Sequence, residues 1–135
     1  MRRTLAALVL ALPAFIAPTL AADGAAAHPD AAPSSAQVEI DGVGLFGVRG
    51  VPAFPAAERA RSIAQRIEAA AAAPGFKVED LRTVDSDLGT AIQAGDRRVM
   101  MVTDEDARLE GGARKLIAEV YAARMREGIQ AWRAA

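Results

Sequence analysis

Hydrophobic and polar side chains alternate in the segment that begins at residue 37, as they do in a β-strand with one buried face. Residues 37–40 alternate, Asp41 and Gly42 supply a two-residue turn, and residues 43–48 continue as a second extended run. Asp-Gly between two short apolar segments is a strong hairpin signal, because both turn residues can adopt positive φ. The pattern therefore predicts a β-hairpin.

The hydrophobic period then changes from two to about 3.6 residues. Residues 56–73 are rich in helix-forming side chains, Pro55 suits a first helical position, and Pro74 with Gly75 ends the run. One face of this helix carries Ala57, Ala60, Ile63, Ala64, Ile67, Ala70 and Ala71. That face lacks the bulky anchors of a membrane-surface helix, so we expect it to pack on the domain's own sheet.

Three further strands are indicated in the middle of the chain. A turn around Glu79 and Asp80 precedes an extended segment at residues 81–84. Residues 90–93 and 98–103 read as an antiparallel pair. The continuous apolar run from Val99 to Val102 predicts a central strand that is covered on both faces.

Two helices close the chain. Thr103 followed by Asp106 resembles a capping box, and a long helix is expected from about Ala113, after a break at Gly111 and Gly112. Its apolar stripe consists of Ala113, Leu116, Ile117, Val120, Tyr121, Met125, Ile129 and Trp132. The end of that stripe, formed by Met125, Ile129 and Trp132, predicts an exposed strip that contacts a partner helix. The fold class is α+β, a small antiparallel sheet with helices on one face.

The first 36 residues carry a different pattern. Arg2 and Arg3 precede an apolar stretch and a tail of small residues, which is typical of a secretory signal over residues 1–22. An uncleaved signal anchor is the alternative, although the run is short and contains two prolines. Residues 23–36 lack large apolar side chains and are predicted to be a flexible linker to an α+β domain at residues 37–135. This organisation predicts a periplasmic protein.

Composition narrows the class of protein further. Of the 52% hydrophobic residues, 33 are alanine, which leaves material for one modest core. The net charge is −1, and without residues 1–22 it is −3 (14 basic against 17 acidic residues), which argues against a nucleic-acid partner. The chain has no cysteine, so it has neither a disulfide framework nor a thiol nucleophile.

Reactive side chains are sparse. His28 is the single histidine and lies in the linker, so the serines have no histidine within the folded region to act as a general base. The pairs Asp85 with Asp87 and Asp104 with Asp106 lack the twelve-residue frame of a calcium loop. We therefore predict no enzymatic activity, metal, cofactor or small-molecule substrate.

Two other features have simple structural interpretations. Met100 and Met101 point to opposite faces of a strand, so they cannot converge on a metal ion. Gly44, Gly47 and Gly50 lack the lysine and following helix of a phosphate loop. Bulges and close backbone approach in a twisted hairpin are the expected reasons for these glycines.

A resemblance emerges from three segments taken in order. They are VEIDGVGLFGVRG at residues 38–50, AAERARSIAQRIE at residues 56–68 and AGDRRVMMVTDEDARLEG at residues 94–111. The succession resembles the extracytoplasmic amino-terminal domain that precedes the membrane helices in a branch of bacterial small-conductance mechanosensitive channel proteins. The resemblance covers residues 38–132 and does not include the transmembrane helices, the pore-lining helix or the cytoplasmic domain of those proteins.

The resemblance implies a non-enzymatic accessory or sensory domain that acts by contact with a protein or envelope component, such as a membrane channel. A truncated or split channel protein is one form of this hypothesis. It singles out Arg59, Asp104 and Asp106 as motif positions with a surface role; simple ion-pair and helix-terminus contacts are the alternative. A small periplasmic ligand-binding or enzyme-like α+β module is the other functional hypothesis, and it requires a concave pocket with converging polar groups.

Overall fold

Two antiparallel sheets and three helices make up the computed structural model, which describes residues 34–135. The elements are β1 (Ser35–Ile40), β2 (Val43–Arg49), α1 (Ala56–Ala72), a short 3₁₀ helix (Val78–Asp80), β3 (Leu81–Ser86), β4 (Gly89–Ala94), β5 (Arg97–Val102), α2 (Asp104–Glu110) and α3 (Arg114–Ala134). This arrangement confirms the predicted α+β class. The predicted signal, residues 1–22, and most of the linker lie outside the described residues.

The predicted hairpin is confirmed, with two small differences. Asp41 and Gly42 have φ values of 51° and 76°, as the two-residue turn requires. Strand β1 begins at Ser35, so the last part of the predicted linker belongs to the sheet. A β-bulge interrupts the register between Val38 and Glu39. An added Cβ on Gly50 would lie 2.8 Å from the Ala56 nitrogen, which confirms close backbone approach at that glycine.

The second sheet has the strand order β3-β4-β5. Strand β4 is therefore central, and the prediction that β5 is a central strand was wrong. Its apolar run is nevertheless well covered: Val99, Met100 and Val102 are buried. Part of the explanation is a bulge opposite Ile92 and Gln93, which places Val99 outside the regular pairing. Long apolar runs thus do not distinguish a central strand from a covered edge strand.

Helix α1 has the predicted bounds within one residue, but its buried face is rotated. Ala56 and Arg59 are buried, whereas Ala57 is exposed. The prediction assigned Ala57, and not Arg59, to the buried face because alanine is apolar and arginine is charged. The fold instead buries the arginine, because it has partners inside the domain.

Helix α2 begins and ends as its sequence indicates. The Thr103 side chain accepts a hydrogen bond from the Asp106 nitrogen, and the Asp106 carboxylate accepts one from the Thr103 nitrogen, which completes the capping box. Gly111 ends the helix in the left-handed conformation, with a φ of 73°.

The predicted stripe of α3 is displaced at one margin. Leu116 and Val120 are 61% and 38% exposed, whereas Ala118 and Ala122 are fully buried. Small side chains at the buried margin allow the helix backbone to approach the sheets closely. The described helices include none that is long and apolar enough to cross a membrane.

The prediction of an exposed strip at the end of α3 was wrong. Met125 and Ile129 are fully buried in the core, and only Trp132 keeps partial exposure. The physical reason is that the end of the helix is tied to the domain. Arg133 donates hydrogen bonds to the carbonyl oxygens of Ala71 and Phe76, at 3.0 and 2.8 Å, so this last turn packs on the chain that follows α1.

Candidate functional site

A buried arginine lies on the apolar face of α1. Arg59 is in phase with Ile63 and Ile67, four and eight residues further along the helix, so it points where they point. Burying an arginine is costly unless its donors are matched by acceptors. The site around Arg59 supplies those acceptors from three other elements.

The guanidinium group of Arg59 forms two hydrogen bonds with one carboxylate. Its two terminal nitrogens lie 2.7 and 2.8 Å from the two carboxylate oxygens of Asp106, in a bidentate arrangement. The same nitrogens donate to the carbonyl oxygens of Arg49 on β2, at 2.7 Å, and Met101 on β5, at 2.8 Å. Arg59 therefore bridges the two sheets, and we call Arg59 with Asp106 the arginine–aspartate centre.

Asp106 is fully buried and fully bonded. Besides the Arg59 contacts, its oxygens accept hydrogen bonds from the backbone nitrogens of Arg49, at 2.9 Å, and Thr103, at 3.0 Å. Burial alone would raise the pKa of the Asp106 carboxyl, but these four hydrogen bonds outweigh burial and lower that pKa below its usual value. The carboxylate is thus held in its charged form.

The surface role expected for Arg59 and Asp106 is contradicted by this geometry. Both side chains face the interior, and each is occupied by protein partners. The alternative of ion-pair and helix-terminus contacts describes them correctly. The signal in the sequence was an arginine in phase with two isoleucines, and a capping-box acid in the first turn of α2.

Asp104 is separated from this centre and belongs to a second cluster around Arg114. Arg114 donates to Asp104 at 3.0 Å, to Asp85 at 3.1 Å and to the Thr90 hydroxyl at 3.2 Å. The Asp104 side chain is 69% exposed. Hydrogen bonds from Thr90 and Arg114 lower the pKa of the Asp85 carboxyl. Sequence reasoning missed this cluster because it joins three segments that are distant along the chain.

The outer edge of β2, on the side away from β1, is bonded by side chains rather than by another strand. The hydroxyl of Tyr121 donates to the Gly47 carbonyl at 2.7 Å, and Arg124 donates to the Leu45 carbonyl at 3.0 Å. Tyr121 also stacks on Phe46 with 4.1 Å between ring centroids. Burial raises the pKa of the Tyr121 hydroxyl, so it remains a donor.

A groove with an apolar floor runs between the start of β2 and the last turns of α3. We define the apolar groove by its main lining residues, Ile40, Val43, Leu45, Gly128, Ala131 and Trp132. It comprises two adjoining cavities of about 170 and 370 Å³. Gly128 leaves room for the Leu45 side chain, which would lie 2.9 Å from an added Cβ. The carboxylates of Asp41 and Glu127 lie at its margins.

Among the described residues, no three histidine, cysteine, aspartate or glutamate side chains are grouped to hold a metal ion. The described surface presents an apolar groove with acidic residues at its margins, and charged groups on the sheets.

The geometry defines an α+β domain in which the side chain of Arg59 joins two antiparallel sheets. The chain belongs to the family described as "Domain of unknown function (DUF8459)", whose model matches residues 37–132. No curated protein and no solved structure matches the chain.

Proposed function

We propose that this protein is a non-enzymatic periplasmic accessory or sensory domain that acts by binding a protein partner of the cell envelope. The observation that carries the proposal is the apolar groove, at which the side chains of Val43 and Trp132 are not covered by the core. Resemblance of residues 38–132 to the extracytoplasmic part of mechanosensitive channel proteins supports a membrane channel as the partner.

The shape of the groove favours a helical partner. It follows α3 over Arg124, Gly128 and Ala131, which recur at spacings of three and four, so it is as long as two turns of helix. Small residues at Gly128 and Ala131 let another backbone approach, and Val43, which is 63% exposed, supplies an apolar contact at the rim. These features fit the apolar face of an amphipathic helix.

The charged residues at the margins of the groove indicate which charge the partner helix carries beside its apolar face. Asp41 and Glu127 are exposed carboxylates, and they outnumber the one cation among the lining residues, Arg124, whose guanidinium donates to the Leu45 carbonyl. Opposite charges across an interface raise the association rate and suppress wrong partners. We therefore propose a partner helix that carries lysine or arginine beside its apolar face.

Trp132 makes this proposal measurable, because it is the only tryptophan of the chain and lines the groove. The full chain is titrated with two 18-residue amphipathic helical peptides, one of leucine and lysine and one of leucine and glutamate. We expect the leucine–lysine peptide to change Trp132 emission and to bind at least tenfold more tightly than the other.

Two variants complete this experiment. Val43→Asp should weaken peptide binding about tenfold, since it places a charge at the apolar rim. Leu88→Asp is the matched control, because Leu88 is the most exposed large apolar residue and lies in the β3–β4 turn, outside the groove. Unchanged Trp132 emission, or equal weakening by both variants, would show that the groove is not the binding surface.

Export is tested separately by fractionating cells that express the full chain. We expect a product about 22 residues shorter than the translated chain in the periplasmic fraction, and a cytoplasmic product when residues 2–22 are deleted. A full-length product in the cytosol would contradict the proposal.

The ligand-binding alternative gains no support at Arg114, since all three of its nitrogens donate to protein oxygens.

A further inference from the structure

A second surface lies on the three-stranded sheet, on the side away from α3. Thr83 bonds Glu119 of α3, and Asp85 bonds Arg114, so odd-numbered residues of β3 face the helix. Side chains alternate along a strand, which places Arg82 and Val84 on the opposite side. We call this side the outer sheet face.

The register of the sheet aligns the outer sheet face in two rows. Arg82 pairs with Gln93, which pairs with Arg98, so two arginines flank an amide across the three strands. The next row consists of Val84, Ala91 and Met101. Met101 extends over Gly89, where an added Cβ would lie 2.7 Å from its sulfur. The face thus carries a cationic row beside an apolar row.

Arg82 and Arg98 differ from the arginines whose side chains bond the backbone of the domain. Arg82 and Arg98 are exposed, and within residues 34–135 neither side chain has a hydrogen-bonding or ion-pair partner, whereas the side chains of Arg59, Arg124 and Arg126 donate to backbone carbonyls. Neither row contains a carboxylate. Neighbouring strands are about 4.8 Å apart, so the Cα atoms of Arg82 and Arg98 are about 10 Å apart on a rigid support.

We propose that the outer sheet face binds an acidic segment of a protein, with one carboxylate on each arginine and an apolar side chain on the Val84–Met101 row. Residues i and i+7 of an α-helix lie on the same face and are also about 10 Å apart, which matches the arginine spacing. Guanidinium groups bind carboxylates through two parallel hydrogen bonds. A membrane surface is less favoured, because these two rows carry no aromatic anchor. The proposal concerns a different surface from the groove and does not depend on it.

The probe is a fluorescein-labelled helical peptide with glutamates at i and i+7 and apolar residues between them on the same face, and its anisotropy is followed with the full chain. Arg82→Gln and Arg98→Gln should each weaken binding at least fivefold, and added salt should weaken it further. Arg61→Gln is the matched control, since Arg61 is exposed on α1 and has no such partner within residues 34–135. It should leave the Kd within twofold.

Three results would overturn the proposal. They are absence of peptide binding, equal weakening by the Arg61 and Arg82 variants, and equal binding of a peptide whose two glutamates are adjacent. Arginine-dependent binding to phosphatidylglycerol vesicles without peptide binding would assign the face to the membrane instead. Trp132 emission is recorded in the same samples, so failure here is distinguished from failure at the groove.

Discussion

Two arginine–aspartate contacts use the same chemical groups in different surroundings. Arg59 and Asp106 lie in the interior, between the sheets, with Asp106 at 0% exposure. Arg114 with Asp85 and Asp104 lies at the surface, where water screens the charges. Removing one partner from a buried pair leaves an uncompensated charge, whereas an exposed pair contributes little. The position of a contact, more than its distance, therefore decides its contribution to stability.

The largest effect is expected from Arg59→Ala. The substitution leaves the Asp106 carboxylate buried with two of its four hydrogen bonds and frees the carbonyls of Arg49 and Met101. We expect the free energy of unfolding to fall by about 3–5 kcal/mol, measured by urea denaturation. Arg61→Ala, two residues away and exposed, should change it by less than about 0.5 kcal/mol. Similar losses in both variants would contradict the comparison.

The pH dependence of stability tests the charge on Asp106. Its pKa is lower in the folded than in the unfolded chain, so its contribution is complete above the unfolded value of about 3.9 and is lost as the pH falls through the folded value. The difference in stability between wild type and Asp106→Asn should therefore shrink on acidification below about pH 4. A difference that stays constant from pH 7 down to pH 2 would show that folding does not lower the pKa of Asp106.

A smaller effect is expected from Tyr121→Phe. The ring still stacks on Phe46, but the buried Gly47 carbonyl loses its donor. We expect a loss of about 1–2 kcal/mol, or several degrees in Tm by calorimetry. No loss would show that water replaces the hydroxyl at the edge of β2.

The smallest effect is expected from Arg114→Gln. Glutamine keeps a donor near the Thr90 hydroxyl and removes the exposed ion pairs and the hydrogen bond to the Ser86 carbonyl. The denaturation midpoint should shift less than in Tyr121→Phe, and high salt should reduce the shift further. A shift as large as that of Arg59→Ala would remove the distinction between the two clusters.

The local structure of turns and helix caps was predictable from the sequence, whereas the burial of individual side chains was not. The hairpin turn at Asp41 and the capping box at Thr103 depend on neighbours along the chain, so their residues identify them directly. Burial of Arg59 and of Ile129 depends on segments some 45 to 60 residues away, including Asp106 and Ala71. Periodicity identifies the face of a helix that is apolar, but it does not identify what packs on that face.

The side-chain hydrogen bonds at the outer edge of β2 have a further consequence. The Arg124 contact with the Leu45 carbonyl involves no carboxylate, so it does not depend on the charge of Asp106 and is retained when acid neutralises that group. Exposed strand edges are the usual templates for intermolecular β-pairing and fibril growth. We therefore expect that, in acid, this domain loosens between its sheets before β2 becomes available for aggregation.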